Sequence, residues 1–351
     1  GNNKYTRARD FFEQWLKDRV LVRDEKPYLY AYEIDYNLYG ESRQLRGIIA
    51  MIKIEELGEG VYPHEMTHSK PKADRLNLMR SCLANISPIY SLYNSQENIT
   101  TNILNNITGP PYISVKDIAK DMKESVHKLY KISDESQINA ITKELSDKAI
   151  FIADGHHRYE VALEFKKEMG KGPWEYVLMF LANMSGKGIS ILPTHRLVKG
   201  INRIDEILDK LKNDFNIEKL DTEPDITKIL SASGKNTFGL YTGRGNKWYI
   251  LKYKGTGLKD ISSTLRNLDV VVLHELILKR NLGITDVTYE MDVKEAVKRT
   301  VNGEFDAAFF LNSTSVEDVE RVALSNLRMP PKSTYFYPKL LTGMVINKFN
   351  N

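Results

Sequence analysis

The most chemically loaded stretch of this chain is residues 149–163, AIFIADGHHRYEVAL. A short apolar run leads into Asp154-Gly155-His156-His157-Arg158, after which Tyr159, Ala162 and Leu163 recur at helical spacing. Gly155 permits a tight strand-to-helix turn, because glycine tolerates backbone angles that other residues avoid. Such a turn points the free N–H groups and the positive dipole end of the new helix at whatever lies above it. Two histidines and an arginine add donors and positive charge there, which is how a chain builds a phosphate cradle. Among so many cations the Asp154 carboxylate is expected to handle a metal ion or a proton. A helix cap alone would need one such residue, not five.

Two further polar clusters stand out. Five of the seven histidines fall in three short motifs: His64 with His68, His156 with His157, and His195. The segment PHEMTHSKPKADR places Glu65 beside Lys70, Lys72, Asp74 and Arg75, stiffened by prolines. PTHR at 193–196 puts Thr194, His195 and Arg196 at the end of an apolar run, where Pro193 stops strand pairing. HEMTH superficially resembles a zinc-protease helix, but that motif is His-Glu-x-x-His on a continuous helix, and Pro63 and Pro71 bracket this one. No G-x-S-x-G elbow, G-x-G-x-x-G loop or Walker A sequence occurs, and GRGN at 243–246 reads as a hairpin turn.

The bulk numbers narrow the partners. At 351 residues the chain is long enough for two cores, and 42% hydrophobic with 27% charged residues is ordinary for a globular protein. A net charge of +4, with lysines and arginines scattered among acids, argues against a nucleic-acid surface. The single cysteine, Cys82, precludes an internal disulfide and any cysteine-based zinc site, and its apolar setting predicts a buried, inert thiol. With no long apolar run and no signal-peptide pattern, a cytoplasmic protein is expected, so the sequons at Asn85, Asn98, Asn106, Asn183 and Asn312 carry no weight.

Periodicity sketches the elements that must position these residues. YTRARDFFEQWLKDRVL predicts a helix presenting Phe11, Phe12, Trp15, Leu16 and Val20 on one face; 28–36 and 45–57 read as strands joined by a turn at YGES. Residues 63–76 read as a polar loop entering a helix at Asp74-Arg75-Leu76, 89–93 and 127–132 as short strands, and 94–126 as a partly helical surface insertion. A helix at 134–147 precedes the Asp154 turn; 174–184 is a buried strand and 188–198 a further one. After residue 200 helices and strands begin again. The expected architecture is α+β, with a catalytic domain over 1–200 and a second α+β domain over 201–351.

ARDFFEQWL, PHEMTHSKPKADRL, SPIYSLY, IADGHHRYEVAL, LPTHRLV and MPPKSTYFYPKLLTGMVI, in this order, resemble the domain of unknown function 1015 family over almost the whole chain. Members of that family begin with a further segment carrying a Pro-Tyr-Asp-Val element, which has no counterpart here. The Asp-Gly-His-His-Arg turn also resembles the nucleotide site of the ParB/sulfiredoxin-like fold, and most nearly that of kinases acting on free serine. Sulfiredoxin chemistry would need a cysteine in the turn, where His156 and His157 stand, and partition proteins would need a helix-turn-helix after it.

The resemblance implies a phosphotransferase using ATP or ADP with Mg²⁺, acting on a small hydroxylated metabolite, foremost free L-serine. Gly155, His156, His157 and Arg158 would then hold the nucleotide phosphates, and Asp154 the metal. Glu65 would act as general base, with Lys72, Arg75, Thr194, His195, Arg196 and Lys332 binding substrate. The other readings are a nucleotide-gated switch without turnover and a metal-dependent phosphatase or nuclease. Residues 329–343, MPPKSTYFYPKLLTG, are expected to return from the second domain to the first and to bring Lys332 or Lys339 near a bound anion.

Overall fold

In the computed structural model, which describes residues 3–67, 69–117, 124–201 and 203–349, the chain forms two compact units. One comprises Gly1–Pro63, Thr67–Ser190 and Pro338–Asn351; the other comprises His64–Met66 and Ile191–Tyr337. The sequence suggested a division near residue 200, with the C-terminal tail returning to the first domain. The units instead part between Ser190 and Ile191, and each takes in a short segment from elsewhere in the chain. His68 and residues 118–123 lie outside the described residues.

The first unit is built on an eight-stranded sheet. Its strands in chain order are β1 (Leu29–Leu38), β2 (Glu41–Lys53), β3 (Val61–Tyr62), β5 (Ile89–Tyr93), β6 (Ile113–Asp117), β7 (Ser125–Ile132), β8 (Ile150–Asp154) and β9 (Tyr176–Asn183), with β4 (Ala84–Asn85) standing outside it. The spatial order is β3-β8-β5-β9-β2-β1-β7-β6, antiparallel except where β3 meets β8 and β5 meets β9. The β1–β2 hairpin pairs Leu38 with Glu41 across Tyr39 and Gly40, both at positive φ (54° and 88°), as a two-residue turn matching strand twist requires. Apolar residues alternate inward to form a core around Ile48, Ile152, Tyr159, Met179 and Leu181.

Helices α1 (Lys4–Lys17), α2 (Ser69–Cys82), α3 (Ile99–Asn105), α4 (Glu135–Leu145) and α5 (His156–Met169) complete this unit. Three expectations need correction. Helix α1 buries Phe12 in a cluster with Ala8, Leu16 and Cys82, a stripe spaced by four, while Phe11 and Trp15 remain 60% and 47% exposed. Helix α2 starts at Ser69 and not at Asp74: Pro71 falls in the first turn, where its missing N–H costs nothing. Much of the supposed insertion is integral, since α3 packs on α4 and residues 113–117 form the edge strand β6.

The second unit holds a wholly antiparallel six-stranded sheet. Its strands are β11 (His195–Val198), β12 (Phe215–Leu220), β13 (Thr237–Thr242), β14 (Lys247–Tyr253), β15 (Thr288–Glu290) and β16 (Ala307–Phe310), in the order β12-β14-β13-β16-β11-β15. The helices Ile226–Ser233 and Val293–Val301 cover it over a core of Leu197, Trp248, Ile250 and Phe310. The stretch 188–198, expected as one strand, is two: β10 (Ser190–Leu192) pairs with β17 (Tyr335–Tyr337), and β11 joins the main sheet after Pro193. The apolar segment Val272–Leu282 adopts the wider π-helical winding, a rare form often found at functional positions. No helix among the described residues is long and apolar enough to cross a membrane.

Glu144 is the polar linchpin of α3. Its carboxylate is buried (3% exposed) and accepts from Ser95 Oγ (2.7 Å), Ile99 N (3.0 Å), Thr100 N (2.6 Å) and Thr100 Oγ1, capping a helix that has no side-chain cap of its own. Burial works against its charge, but these donors outweigh it and hold the carboxyl below its usual range. Because the folded value is depressed, the stability contributed is present above the unfolded pKa and lost as pH falls through the folded one. Glu144→Gln is therefore expected to cost about 1.5–3 kcal/mol at neutral pH in urea unfolding. The gap to wild type should narrow below about pH 4.

Candidate functional site

The Asp154 turn belongs to the first unit. Strand β8 runs between β3 and β5 and ends at Asp154, opposite Tyr90, where the pairing with β5 slips. Gly155 follows at φ +104° and is the helix N-cap, with no side-chain cap bond. A Cβ there would meet the Arg158 guanidinium at 2.8 Å, so position 155 needs glycine for its backbone angle and for the approach of Arg158. Asp154 does not cap the helix; a glycine does, and the N–H groups of the first turn are left to other partners.

Around this turn the charges are dense. Asp154 Oδ2 accepts from Lys339 Nζ at 2.9 Å, and Oδ1 lies 4.0 Å from Arg158 Nη2. Burial would raise the Asp154 pKa, but the Lys339 ammonium and the Arg158 guanidinium more than compensate and hold it at about 2. With its side chain 42% exposed, part of that attraction is screened by water. A carboxylate ionised across the whole working range suits a cation or a developing charge, and is poorly matched to shuttling a proton near neutrality. Arg158 donates to the Pro88 carbonyl, and its pKa is lowered by burial, with Asp154 opposing and Arg75 adding to the effect. His156 is buried and His157 half-buried at the start of α5.

Lys339 arrives on the C-terminal segment, whose place is fixed by several bonds. Leu341 N donates to Tyr32 Oη (3.2 Å), whose oxygen also meets His127 Nδ1 (2.7 Å); His127 Nε2 meets Ser125 Oγ (2.9 Å). Thr342 bonds Ser87, Asn347 pairs with β4, and Phe349 stacks on Phe165 at 5.9 Å. Sequence reasoning anticipated a lysine of this segment near the turn. It missed Tyr32 and His127, which look like ordinary alternating strand residues until the register is known. Lys72 is held by Glu160 on α5 at 2.8 Å, an ion pair that Thr67 also joins, and Arg75 is exposed on α2.

The remaining residues lie in the second unit. Glu65 bridges to Met329, and its Oε1 accepts from Lys332 N at 2.9 Å; it is the backbone of Lys332, at φ +59°, that is engaged. His64 is fully buried, its Nε2 2.8 Å from Thr334 Oγ1. Arg196 is also fully buried, donating to Thr194 O and to Lys332 O (3.2 Å). The sequence grouped Thr194, His195 and Arg196 as one substrate cluster. Strand alternation divides them: Arg196 faces Tyr289, while His195 turns to the core side and packs on Phe310, with ring centroids 4.9 Å apart. Burial, assisted by the Arg196 charge, lowers the His195 pKa to about 3, so it is a neutral imidazole. Among the described residues no three His, Cys, Asp or Glu gather as metal ligands.

Comparison with known proteins gives one firm relation. No curated protein matches. Among solved structures, a free serine kinase in complex with AMP is 14% identical, covering 83% of this chain and 86% of that one at a TM-score of 0.42. A conserved hypothetical protein from Pyrococcus furiosus is 14% identical, covering 86% and 95% at 0.43, and SbnI with C-terminal truncation from Staphylococcus aureus is 10% identical, covering 85% and 87% at 0.42. The family described as "Protein of unknown function (DUF1015)" matches residues 1–271 of the 351. The chain, with its Asp154 turn and its PTHR strand inside that span, belongs to the DUF1015 family.

Proposed function

We propose that the protein transfers a phosphoryl group between a nucleotide, ATP or ADP, and a small hydroxylated metabolite, with free L-serine the foremost acceptor. The observation that carries this reading is the turn itself: a helix start capped only by glycine, flanked by His156, His157 and Arg158, with a carboxylate and the Lys339 ammonium beside it. Phosphoryl transfer asks a protein chiefly for positioning and for charge neutralisation. The N–H groups of residues 156–158 would bind phosphate oxygens, with Arg158 and Lys339 neutralising charge as it moves to the leaving group. In this reading the first unit is a ParB/sulfiredoxin-like nucleotide domain, and the protein works in the cytoplasm.

Magnesium fits the turn in a limited way. Mg²⁺ commonly binds through one or two carboxylates, substrate phosphates and water, and Asp154 offers one permanently ionised carboxylate. Bound there, the ion would neutralise phosphate charge. Lys339 holds the same carboxylate, so the lysine would be released to the phosphates as the ion takes its place. We assign deprotonation of the acceptor hydroxyl to Glu65 and not to Asp154, whose carboxylate is too weak a base near neutrality.

Incubation with ATP or ADP, Mg²⁺ and a panel of hydroxy acids, read by mass spectrometry, tests the reading. Phosphorylated acceptor is expected; free phosphate alone would make the protein a hydrolase, and tight nucleotide binding without product would make it a switch. Asp154→Asn should abolish turnover and leave the fold intact, since the helix cap is Gly155. Retained activity would remove Asp154 from the chemistry. Because the Asp154 pKa is about 2, any acid limb of the pH–rate profile between pH 4 and 7 should persist unchanged when Mg²⁺ is varied. A limb that moves with Mg²⁺ would show Asp154 titrating after all.

Arg158→Ala should weaken nucleotide binding by about 1.5–3 kcal/mol in calorimetric titration, the usual worth of a hydrogen bond to a charged group. Unchanged affinity would place the nucleotide away from this turn.

A further inference from the structure

The buried guanidinium of Arg196 forms no salt bridge with a described residue; the nearest compensation is the longer-range attraction of Glu65, in the same unit. It is fully buried, bonds only to two backbone carbonyls, and makes no ion pair with a described residue. Leaving a charge buried and unpaired is among the costlier things a fold can do, and arginine cannot escape by losing its proton. Burial pushes the Arg196 pKa down to about 10, still well above neutrality. Its Nε has no hydrogen-bond partner, nor has Thr194 Oγ1, nor Nδ1 of His274, and all three atoms are buried. His274 lies on the π-helical segment Val272–Leu282, close enough to Arg196 that its pKa, lowered first by burial, is lowered further by the guanidinium charge. Tyr289, with its ring 5.3 Å from the guanidinium carbon, and Glu65 border the same cation and are half-buried, which gives the cluster a rim toward solvent.

We propose that Arg196, Thr194 and His274 form a binding site in the second unit for the carboxylate of a small organic acid. A carboxylate supplies the direct ion pair that Arg196 lacks and accepts from Arg196 Nε, from the Thr194 hydroxyl and from a His274 Nδ1–H. Three donors suit one carboxylate, whose two oxygens take up to four bonds. The Glu65 carboxylate, with one oxygen committed to Lys332 N, sets the charge of the rest of the ligand. It disfavours a second acid group and favours an ammonium, so the preferred class is an α-amino acid over a dicarboxylate. Only the identification of this acid as the phosphoryl acceptor rests on the phosphotransferase reading; the site itself stands on the unpaired donors. His195, on the opposite face of β11, takes no part.

Calorimetry and thermal shift on the whole protein without nucleotide test the site, with L-serine, D-glycerate, serinol and inorganic phosphate as probes. L-serine and D-glycerate are expected to bind, L-serine more tightly, while serinol, which lacks only the carboxylate, does not. Serinol binding as well as L-serine, binding of phosphate alone, or binding of neither acid overturns the proposal. Arg196→Gln should reduce L-serine affinity at least tenfold. Because that change also strips bonds from two buried carbonyls, His274→Ala and Thr194→Val are the companion variants. Each should weaken L-serine binding with the unliganded melting temperature unchanged; unaltered affinity in both sinks the site. Acids that bind without phosphoryl transfer under any condition would leave this site standing and remove the kinase reading.

Discussion

The organisation of the first unit turns on one electrostatic arrangement, the carboxylate of Asp154 held between Arg158 and Lys339. Asp154 closes a strand, Arg158 opens a helix four residues on, and Lys339 comes from the far end of the chain. One carboxylate at the mouth of this helix with two cations beside it leaves the turn with a surplus of positive charge, the carboxylate offsetting the desolvation of both. Without Asp154 two like charges would face each other in a partly buried place. The C-terminal segment must therefore be held in register, and the bonds from Leu341 to Tyr32, from Thr342 to Ser87 and from Asn347 to Asn85 do so. The Tyr32 hydroxyl can accept from Leu341 only because His127 and Ser125 complete its hydrogen bonding in the core of the sheet.

Much of this was readable from the residues. The Asp154–Arg158 turn announced itself because strand periodicity, glycine and a cluster of donors coincide within a few positions, and each is a local signal. The β1–β2 hairpin, Cys82 in its apolar setting and most strands after residue 200 were legible for the same reason. What escaped was whatever depends on pairing between distant segments. Nothing local in HKLYKI marks His127 as the support of Tyr32; alternation alone parts the histidine and arginine of PTHR, but which of them faces the core depends on how β11 pairs once the strand restarts after Pro193. Pro71 misled in the other direction: read as a loop residue, it sits in the first turn of α2, the one helical place that proline favours.

The π-helical winding of Val272–Leu282 was equally hidden, since its mixed sequence reads as an ordinary helix. Its effect is local. The wider winding changes the angular step between successive side chains, so residues that an α-helix would stack on one face are offset. On this segment His274 has its Nδ1 buried without a partner, while Leu273, Leu276 and Ile277 reach the core.

Arg158, half-buried, and Arg196, fully buried, show how differently one side chain can be used. Arg158 has its carboxylate in Asp154 and a backbone acceptor in Pro88, so its charge is compensated within the fold. Arg196 is buried more completely, and its hydrogen bonds go to carbonyl oxygens alone. Carbonyl dipoles satisfy hydrogen bonds but do not cancel a net charge; burial lowers the Arg196 pKa to about 10, and the attraction of Tyr289 and Glu65 offsets only part of that. For stability alone, a neutral residue of similar volume at position 196 would serve better, because replacing a buried charge by apolar packing is commonly neutral or favourable. An anion that arrives from solution changes the comparison: the guanidinium then contributes binding energy in proportion to how poorly the empty fold had compensated it.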